Sequence, residues 1–232
     1  MKIYSFQPIL IVQKILKNGI VYSKKDMVFP PQEIKLASFF QSAYDWMNQK
    51  LKEKIVKPKQ ADYPFWGYFQ WSGVQHTKPD LRSSEAHQYC KKQPYCLLTL
   101  EIPEIEILLS DYDAWHFVLN RWYFTSNSLR EMKEQELNQQ GFSLYRQEQL
   151  PKETLDLIQS SWNHIFDLKQ SAIFLETSIK QTTIQANFWS ISKEYLQTIV
   201  LFDGKSKKQS FNKKNFHVFQ KNYIGDSYVT HD

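Results

Sequence analysis

Helical and strand-like segments follow one another along this chain without a regular order. Apolar residues recur every three or four positions over residues 33–55, which predicts a long amphipathic helix. Similar helical patterns cover residues 8–18, 111–124, 127–141 and 151–168, and strand-like patterns cover 2–6, 20–22, 63–71, 95–103, 183–191 and 197–202. Because no regular β-α-β alternation is present, the sequence predicts an α+β fold. We expect a single domain with a mixed, mainly antiparallel sheet flanked by helices.

The composition changes after residue 202. The chain of 232 residues is 42% hydrophobic and 16% aromatic, so residues 1–202 are predicted to form one globular domain with an aromatic-rich core. Residues 203–232 contain six lysines and three aspartates, and this balance of +3 leaves +2 of the total +5 for the rest. We expect residues 203–232 to form a basic, mobile C-terminal tail. Such a tail offers contacts to nucleic-acid phosphates, although a solvated tail is the simpler interpretation.

Several classes of protein are disfavoured by what the sequence lacks. Neither G-x-x-x-x-G-K-[ST] nor G-x-G-x-x-G occurs, and only six glycines are present. Two cysteines are too few for a disulfide framework, and the N-terminus does not resemble a signal peptide. The apolar runs are shorter than the roughly 18 residues that a membrane span requires. The sequence therefore predicts a soluble, cytoplasmic protein, and it leaves the oligomeric state open.

The stretch LLSDYDAWHFVLNRWYF, residues 108–124, carries the densest set of candidate functional groups. Ser110 and Asp113 resemble a helix-capping box, and Trp115, Val118, Leu119 and Trp122 form one apolar face. Asp113, His116 and Asn120 share another stripe of the same helix. Because a carboxylate one turn before a histidine raises its basicity, Asp113 and His116 are predicted catalytic residues and Asn120 a ligand contact. The alternative is that Asp113 caps the helix, His116 is half-buried and Asn120 faces water.

Two further segments contain candidate binding residues. In the loop KPDLR, Arg82 is predicted to bind a phosphate or carboxylate with Asp80 orienting it, or else the pair simply pins the loop. Trp66, Tyr68 and Trp71 share one strand face, so Trp66 is predicted to stack against a base or a nicotinamide ring. The alternative role of these aromatic residues is in the core.

A zinc site formed by His76, His87, Cys90 and Cys96 is an alternative that the sequence leaves open. The spacing H-x10-H-x2-C-x5-C matches no standard finger or ribbon, so we predict no metal ligands. A metal-dependent hydrolase that uses this loop remains a third functional alternative.

The motifs YPFWGYF, KPDLR, EIPEIEILLSDYDAWHFVLN, WNHIFD and IQANFW together resemble the bacterial family called domain of unknown function 3841. The resemblance covers about residues 1 to 202. It implies a bacterial-type soluble domain, and the family carries no assigned activity.

A weaker resemblance links the chain to DarT-type ADP-ribosyltransferase toxins. Those toxins have an N-terminal strand ending in Tyr-His-x-Thr, and here the strand reads Tyr4-Ser5-Phe6-Gln7 and is followed by a helix and Gly19. Their Gln-Ala-Glu-Phe strand corresponds to Gln185, Ala186, Asn187 and Phe188. The resemblance implies NAD as the ligand. Asn187 replaces the catalytic glutamate and Ser5 replaces the NAD-binding histidine, so either the chemistry is lost or another acid, for which Asp113 is the candidate, supplies the charge.

Two main functional hypotheses follow. The first is an ADP-ribosyltransferase-like domain that binds a nucleotide such as NAD, with ADP-ribosyl transfer as the leading reaction if the chain is an enzyme. It predicts that Gln7, Arg82, Asp113, His116 and Gln185 face one cleft, with Asn120, Asn187 and Trp66 as further ligand contacts. The second is a non-catalytic module for nucleic acid or a protein partner, with a continuous basic surface joining Lys50–Lys57 to the C-terminal tail.

Overall fold

The first strand of the chain lies at the centre of the main sheet. The computed structural model describes residues 1–28, 34–89, 94–144, 146, 149–202 and 208–223. Its strands are β1 (Lys2–Pro8), β2 (Ile20–Tyr22), β3 (Phe65–Gln70), β4 (Tyr95–Glu101), β5 (Leu108–Asp111), β6 (Ile184–Phe188), β7 (Ser190–Ser192), β8 (Leu196–Phe202) and β9 (Gln209–Asn212). Seven of them form a sheet in the order β5-β6-β3-β1-β4-β8-β9, and β2 pairs with β7 in a separate ladder. All of these pairs are antiparallel.

Helices cover both faces of this sheet. They are α1 (Ile9–Asn18), α2 (Lys25–Val28), α3 (Ile34–Lys54), α4 (Ser84–Tyr89), α5 (Tyr112–Leu119), α6 (Asn127–Gln139), α7 (Lys152–Ser161), α8 (Leu168–Phe174) and α9 (Phe216–Tyr223). Short 3-10 helices occupy Glu104–Glu106 and Trp162–Phe166. The predicted α+β fold, with a mainly antiparallel sheet flanked by helices, is confirmed.

One face of the sheet, called the α1 face below, packs against α1, α9 and the β2–β7 ladder. Its core includes Ile3 of β1, Leu98 of β4, Phe188 of β6 and Ile199 of β8, all almost completely buried. In β4, for example, Cys96, Leu98 and Leu100 occupy every second position, and this alternation directs all three to the same side of the sheet.

The opposite face, called the α3 face below, carries two separate apolar clusters. One is formed with α3, α5, α6 and α7 and includes Met47, Trp115 and Leu108. The other is formed with α4 and includes Tyr4, Tyr68 and other aromatic residues near the centre of the sheet. The aromatic-rich core that the composition predicts therefore lies mainly on this face.

Two segments differ from the predicted elements. The helix predicted over residues 111–124 ends at Leu119, because Arg121 has a left-handed backbone with φ 58° that stops the helical path. Trp122 is consequently 42% exposed, so its predicted place on the apolar helix face is wrong. The strand predicted over residues 183–191 divides around Trp189 into β6, in the main sheet, and β7, in the ladder with β2.

The domain extends beyond the predicted boundary at residue 202. β9 pairs with β8, and Phe211, Phe216 and Phe219 are buried in the core of the α1 face. The described residues 208–223 are therefore part of the fold and do not form a mobile tail, because three phenylalanines among the lysines supply the apolar contacts. Residues 203–207 and 224–232 lie outside the described residues. Within the described ranges, no helix combines the length and apolar character needed to cross a bilayer.

Gly67 permits the close approach of β3 to the central strand. A Cβ at this position would lie 2.6 Å from Cγ2 of Ile3 and 2.9 Å from the carbonyl oxygen of Tyr4. The backbone oxygen is held in the sheet, so a larger residue forces the two strands apart. This glycine therefore sets the packing of the centre of the sheet.

The Gly67→Ala variant is expected to lower the free energy of unfolding by about 2 kcal/mol, the usual cost of overpacking a rigid interior. Urea unfolding followed by circular dichroism measures the change. Gly141→Asn is the control, because nothing lies within 4 Å of a Cβ there and asparagine tolerates its φ of 81°. An unfolding curve of Gly67→Ala that overlays that of the wild type contradicts this account of the sheet.

Candidate functional site

Two rows of side chains cross the α3 face side by side, and they differ in polarity. The first, the Gln185 row, runs through the paired residues Ser110, Gln185, Tyr68, Tyr4, Thr99 and Thr198. The second, the Asn187 row, contains Leu108, Asn187 and Trp66 on β5, β6 and β3. Directly paired residues in neighbouring strands point to the same face, so each row is a continuous line of contacts.

Polar groups of the Gln185 row have partners within the row and in α4. Nε2 of Gln185 donates to Oγ of Ser110 at 2.9 Å, and the hydroxyl of Thr198 donates to that of Thr99 at 2.7 Å. The hydroxyl groups of Tyr68 and Tyr89 lie 3.2 Å apart. These contacts explain how a polar line is accommodated under the helices, since buried polar groups require partners.

The Asn187 row is different, because its one amide is fully buried between an apolar and an aromatic neighbour. Neither Oδ1 nor Nδ2 of Asn187 has a hydrogen-bond partner among the described residues, and neither does Nε1 of Trp66. An unsatisfied buried polar group costs about 1–3 kcal/mol. Two adjacent side chains thus present three unpaired polar atoms to the same part of the α3 face.

Three aromatic rings enclose this position. The ring of Trp66 lies 5.0 Å from that of Trp115 on α5 and 5.5 Å from that of Tyr44 on α3, and the latter two rings are 5.7 Å apart. Burial, followed by the charge of Tyr89, raises the pKa of Tyr44 above its usual 10.0, so its hydroxyl is neutral at physiological pH. The site is therefore aromatic and uncharged at Asn187, Trp66 and Tyr44.

The start of α5 is capped by Asp111 and not by Ser110. One carboxylate oxygen of Asp111 accepts from the backbone N–H groups of Asp113 and Ala114 at 2.9 and 3.0 Å. Because α5 begins at Tyr112, Asp111 occupies the N-cap position, and the Ser110 side chain instead accepts the hydrogen bond from Gln185. Burial raises the pKa of Asp111 above its usual 3.8, against the opposing effects of the Ala114 N–H and the Ser171 hydroxyl.

The predicted pair Asp113 and His116 lies on the outside of α5. Both side chains are exposed, and Nδ1 of His116 lies 3.0 Å from the carbonyl oxygen of Tyr112. Nδ2 of Asn120 donates to the carbonyl oxygen of His116 at 2.7 Å, so its amide closes the end of the helix. The helix places these residues on one side, as predicted, but that side is not the one that packs on the sheet.

Arg82 and Gln7 also lie away from the Asn187 row. The guanidinium of Arg82 is exposed and donates to the carboxylate of Asp80 from Nε, at 3.0 and 3.2 Å, and from Nη2, at 2.9 Å. These hydrogen bonds lower the pKa of Asp80 to about 2. Gln7 lies on the α1 face, where its Nε2 donates to Oγ of Ser5 at 2.8 Å. Ser5 in turn donates to the carbonyl oxygen of Trp66 at 2.6 Å.

The structure thus brings together three of the predicted site residues, Trp66, Gln185 and Asn187, and separates the others. The predicted convergence of Gln7, Arg82, Asp113, His116 and Gln185 on one cleft is not observed. Alternation along β1 directs Gln7 to the opposite face of the sheet. Arg82, Asp113 and His116 are exposed to solvent, away from the buried Gln185. Tyr44 was not identified from the sequence, because its helical spacing is equally typical of a core residue.

The candidate zinc ligands are not assembled in the described part of the chain. Cys96 belongs to the core of the α1 face, whereas the ring of His87 lies 5.4 Å from that of Phe202 on the α3 face. His76 is exposed in the loop after β3, and Cys90 lies outside the described residues. No cluster of three or more histidine, cysteine or acidic residues occurs within the described ranges.

Asp111 makes the stability of the fold depend on pH. Because its folded pKa is raised above 3.8, its protonated form stabilises the fold below pH 3.8, and this contribution is lost as pH rises through the folded value. Asp111→Asn keeps a capping oxygen and removes the charge. We therefore expect this variant to exceed the wild type in free energy of unfolding at pH 7 and to equal it below pH 3.8.

Urea unfolding across pH 3 to 8 measures this difference. Asp111→Ala serves as the control, because it removes the cap and lowers stability by about 1 kcal/mol at pH 3. If the free energy of unfolding of the wild type instead rises above that of Asp111→Asn as pH increases, the fold stabilises the carboxylate. The raised pKa of Asp111 is then wrong.

Comparison with known proteins places the chain in a family. No curated protein and no solved structure matches it, so the resemblance to DarT-type toxins gains no support. The model of the family described as domain of unknown function (DUF3841) matches residues 2–197, which run from β1 to the start of β8 and include the whole Asn187 row. The chain belongs to the DUF3841 family.

Proposed function

We propose that this chain is a nucleotide-binding domain of ADP-ribosyltransferase-like type, with NAD as the leading ligand. In this proposal the ligand presents a planar carboxamide or the edge of a base to Asn187 and Trp66. The observation that supports the proposal is the fully buried Asn187, whose two amide atoms have no partner among the described residues, beside the unpaired Nε1 of Trp66.

The chemistry of the unpaired atoms defines the complementary group. The Asn187 amide has an acceptor and two donors, and the Trp66 indole adds one donor. A ligand that matches them carries a donor and an acceptor side by side, as a nicotinamide carboxamide or the edge of adenine does. Because Asn187, Trp66 and Gln185 are all uncharged, the part of the ligand that they contact is neutral.

The aromatic residues suit a planar ring. Trp66, Trp115 and Tyr44 lie within 6 Å of one another by ring centroids, and such groups stack on bases with a gain of about 1–3 kcal/mol per base. The same rings exclude water, which strengthens each hydrogen bond that the amide makes. Entry of a ligand requires that these rings separate, since Asn187 is fully buried in their presence.

The proposal is for binding rather than catalysis. In DarT-type toxins, ADP-ribosyl transfer depends on the carboxylate of a glutamate at the position that corresponds to Asn187. The amide of asparagine cannot supply that negative charge. Asp113, the predicted substitute, is exposed on α5, and one carboxylate oxygen of Asp111 is engaged in capping that helix. If the chain is an enzyme, ADP-ribosyl transfer remains the leading reaction, with the acid supplied from outside this row.

Isothermal titration calorimetry with NAD, nicotinamide and AMP tests the proposal. We expect at least one of them to bind, and we expect Asn187→Leu to weaken that binding by roughly 5- to 160-fold, because two hydrogen bonds of about 0.5–1.5 kcal/mol each are lost. Trp66→Phe keeps an aromatic ring, removes the indole N–H donor and is expected to weaken binding severalfold. Asn138→Leu, at an exposed position of α6, is the matched control and leaves the affinity unchanged.

Thermal unfolding distinguishes a binding site from a fold that merely tolerates a buried amide. Asn187→Leu removes unpaired polar atoms, so it is expected to fold with an equal or higher melting temperature while losing ligand binding. The proposal fails if none of the three probes binds at millimolar concentration. It also fails if Asn187→Leu binds them as tightly as the wild type does.

A further inference from the structure

We propose that a stripe of lysines along the β2–β7 ladder binds the phosphate backbone of nucleic acid. The lysine stripe consists of Lys24, Lys52, Lys57, Lys193 and Lys213. It uses other residues than the proposed nucleotide site, and its test does not depend on that site.

One end of the stripe is assembled from three elements beside the Tyr22–Ser190 pair of the ladder. The backbone N–H of Asp62 donates to the carbonyl oxygen of Ser23 at 2.9 Å, which holds the chain after α3 against the end of β2. Nε1 of Trp189 donates to the carbonyl oxygen of Ile55 at 3.2 Å, and Nζ of Lys57 lies 5.8 Å above the Trp189 ring. These contacts bring Lys24, Lys52 and Lys57 to one surface.

The positive charge at this end is only partly compensated. Asp62 lies 3.8 Å from Lys24, and Glu53 is paired at 3.0 Å with Lys50 and not with the stripe. Burial, followed by the charge of Lys52, lowers the pKa of Lys57, with Lys24 adding to the shift and Asp62 opposing it. The electrostatic repulsion between lysines on separate elements is relieved when an anionic partner binds between them.

The other end of the stripe lies at the Ile20–Ser192 pair. The backbone N–H of Lys193 donates to the carbonyl oxygen of Gly19 at 2.7 Å, and Nζ of Lys213 donates to that of Glu194 at 3.4 Å. A groove of about 470 Å³ opens here, lined by Gly19, Ser192, Lys193, Glu194, Lys213 and Phe216. Lys213 precedes α9, so the stripe reaches the segment beyond residue 202.

The surface between the two ends suits a chain of phosphates. Val21 and Ile191 are buried, so alternation turns Ser190 and Ser192 outward, where their hydroxyls are able to donate to phosphate oxygens. The ladder spans three residues, roughly 10 Å at ~3.3 Å per residue. Positive groups at both ends of such a span fit an extended polyanion better than a single small anion.

Fluorescence anisotropy with a labelled 20-nucleotide single strand and the matching duplex, at salt concentrations from 50 to 200 mM, tests the proposal. We expect binding that weakens steeply with salt, since each phosphate contact changes the logarithmic slope by about 0.7 to 0.9. Lys24→Gln/Lys52→Gln/Lys57→Gln is expected to reduce the slope by about 2 to 3 and the affinity at 50 mM salt by at least tenfold. Lys193→Gln/Lys213→Gln is expected to reduce the slope by about 1 to 2.

The matched control is Lys152→Gln/Lys169→Gln/Lys180→Gln, which removes three exposed lysines from α7, α8 and the loop after α8. We expect it to bind as the wild type does, and an equal loss in this control overturns the stripe as the site. Affinity that does not change with salt, or no binding at 50 mM salt, also overturns the proposal. So does binding to vesicles of anionic lipid without binding to either nucleic acid.

Discussion

The burial of β1 on both faces is the constraint on which the rest of the structure depends. Its five central residues are all buried, and β3 approaches so closely at Gly67 that a Cβ there would collide with Ile3 and the Tyr4 carbonyl oxygen. A strand buried in this way divides the interior into two cores with different chemistry. The α1 face receives mainly aliphatic side chains and several phenylalanines, whereas the α3 face receives the tryptophans and most tyrosines together with the two rows of the candidate site.

The amide of Gln185 is hydrogen-bonded and that of Asn187 is not, because the neighbouring strands place different residues beside them. Gln185 finds Ser110 one strand away, but Asn187, two residues further along the same strand, lies between Leu108 and Trp66. A one-residue change of register would exchange the faces of β6 and place Ala186 in this row. The register of the whole sheet therefore fixes the position of the unpaired amide. Burial of the surrounding apolar side chains offsets the free energy that desolvation of this amide costs.

The sequence predicts the elements of this fold better than it predicts the site. Periodicity identifies α1, α3 and the main strands because apolar residues repeat along each of them. It does not reveal that Arg121 ends α5, since a left-handed residue leaves no trace in an apolar pattern. Asp113, His116 and Asn120 share a helix stripe as predicted, yet only tertiary packing decides that this stripe faces outward. Trp66, Gln185 and Asn187 converge because the order of the strands places β3 beside β6, which no local pattern contains.

The segment from β6 to β7 connects the two proposed surfaces while keeping their chemistry apart. Gln185 and Asn187 face the neutral aromatic interior, Trp189 turns the chain beneath Lys57, and Ser190 and Ser192 continue along the lysine stripe. Charged groups are energetically unfavourable in a low-dielectric interior. A fold with the two proposed sites must therefore keep the lysines that contact a polyanion outside the interior that holds a neutral ring. The bend at Trp189 achieves that separation over a few residues, because the strand leaves the main sheet there and pairs again at the surface.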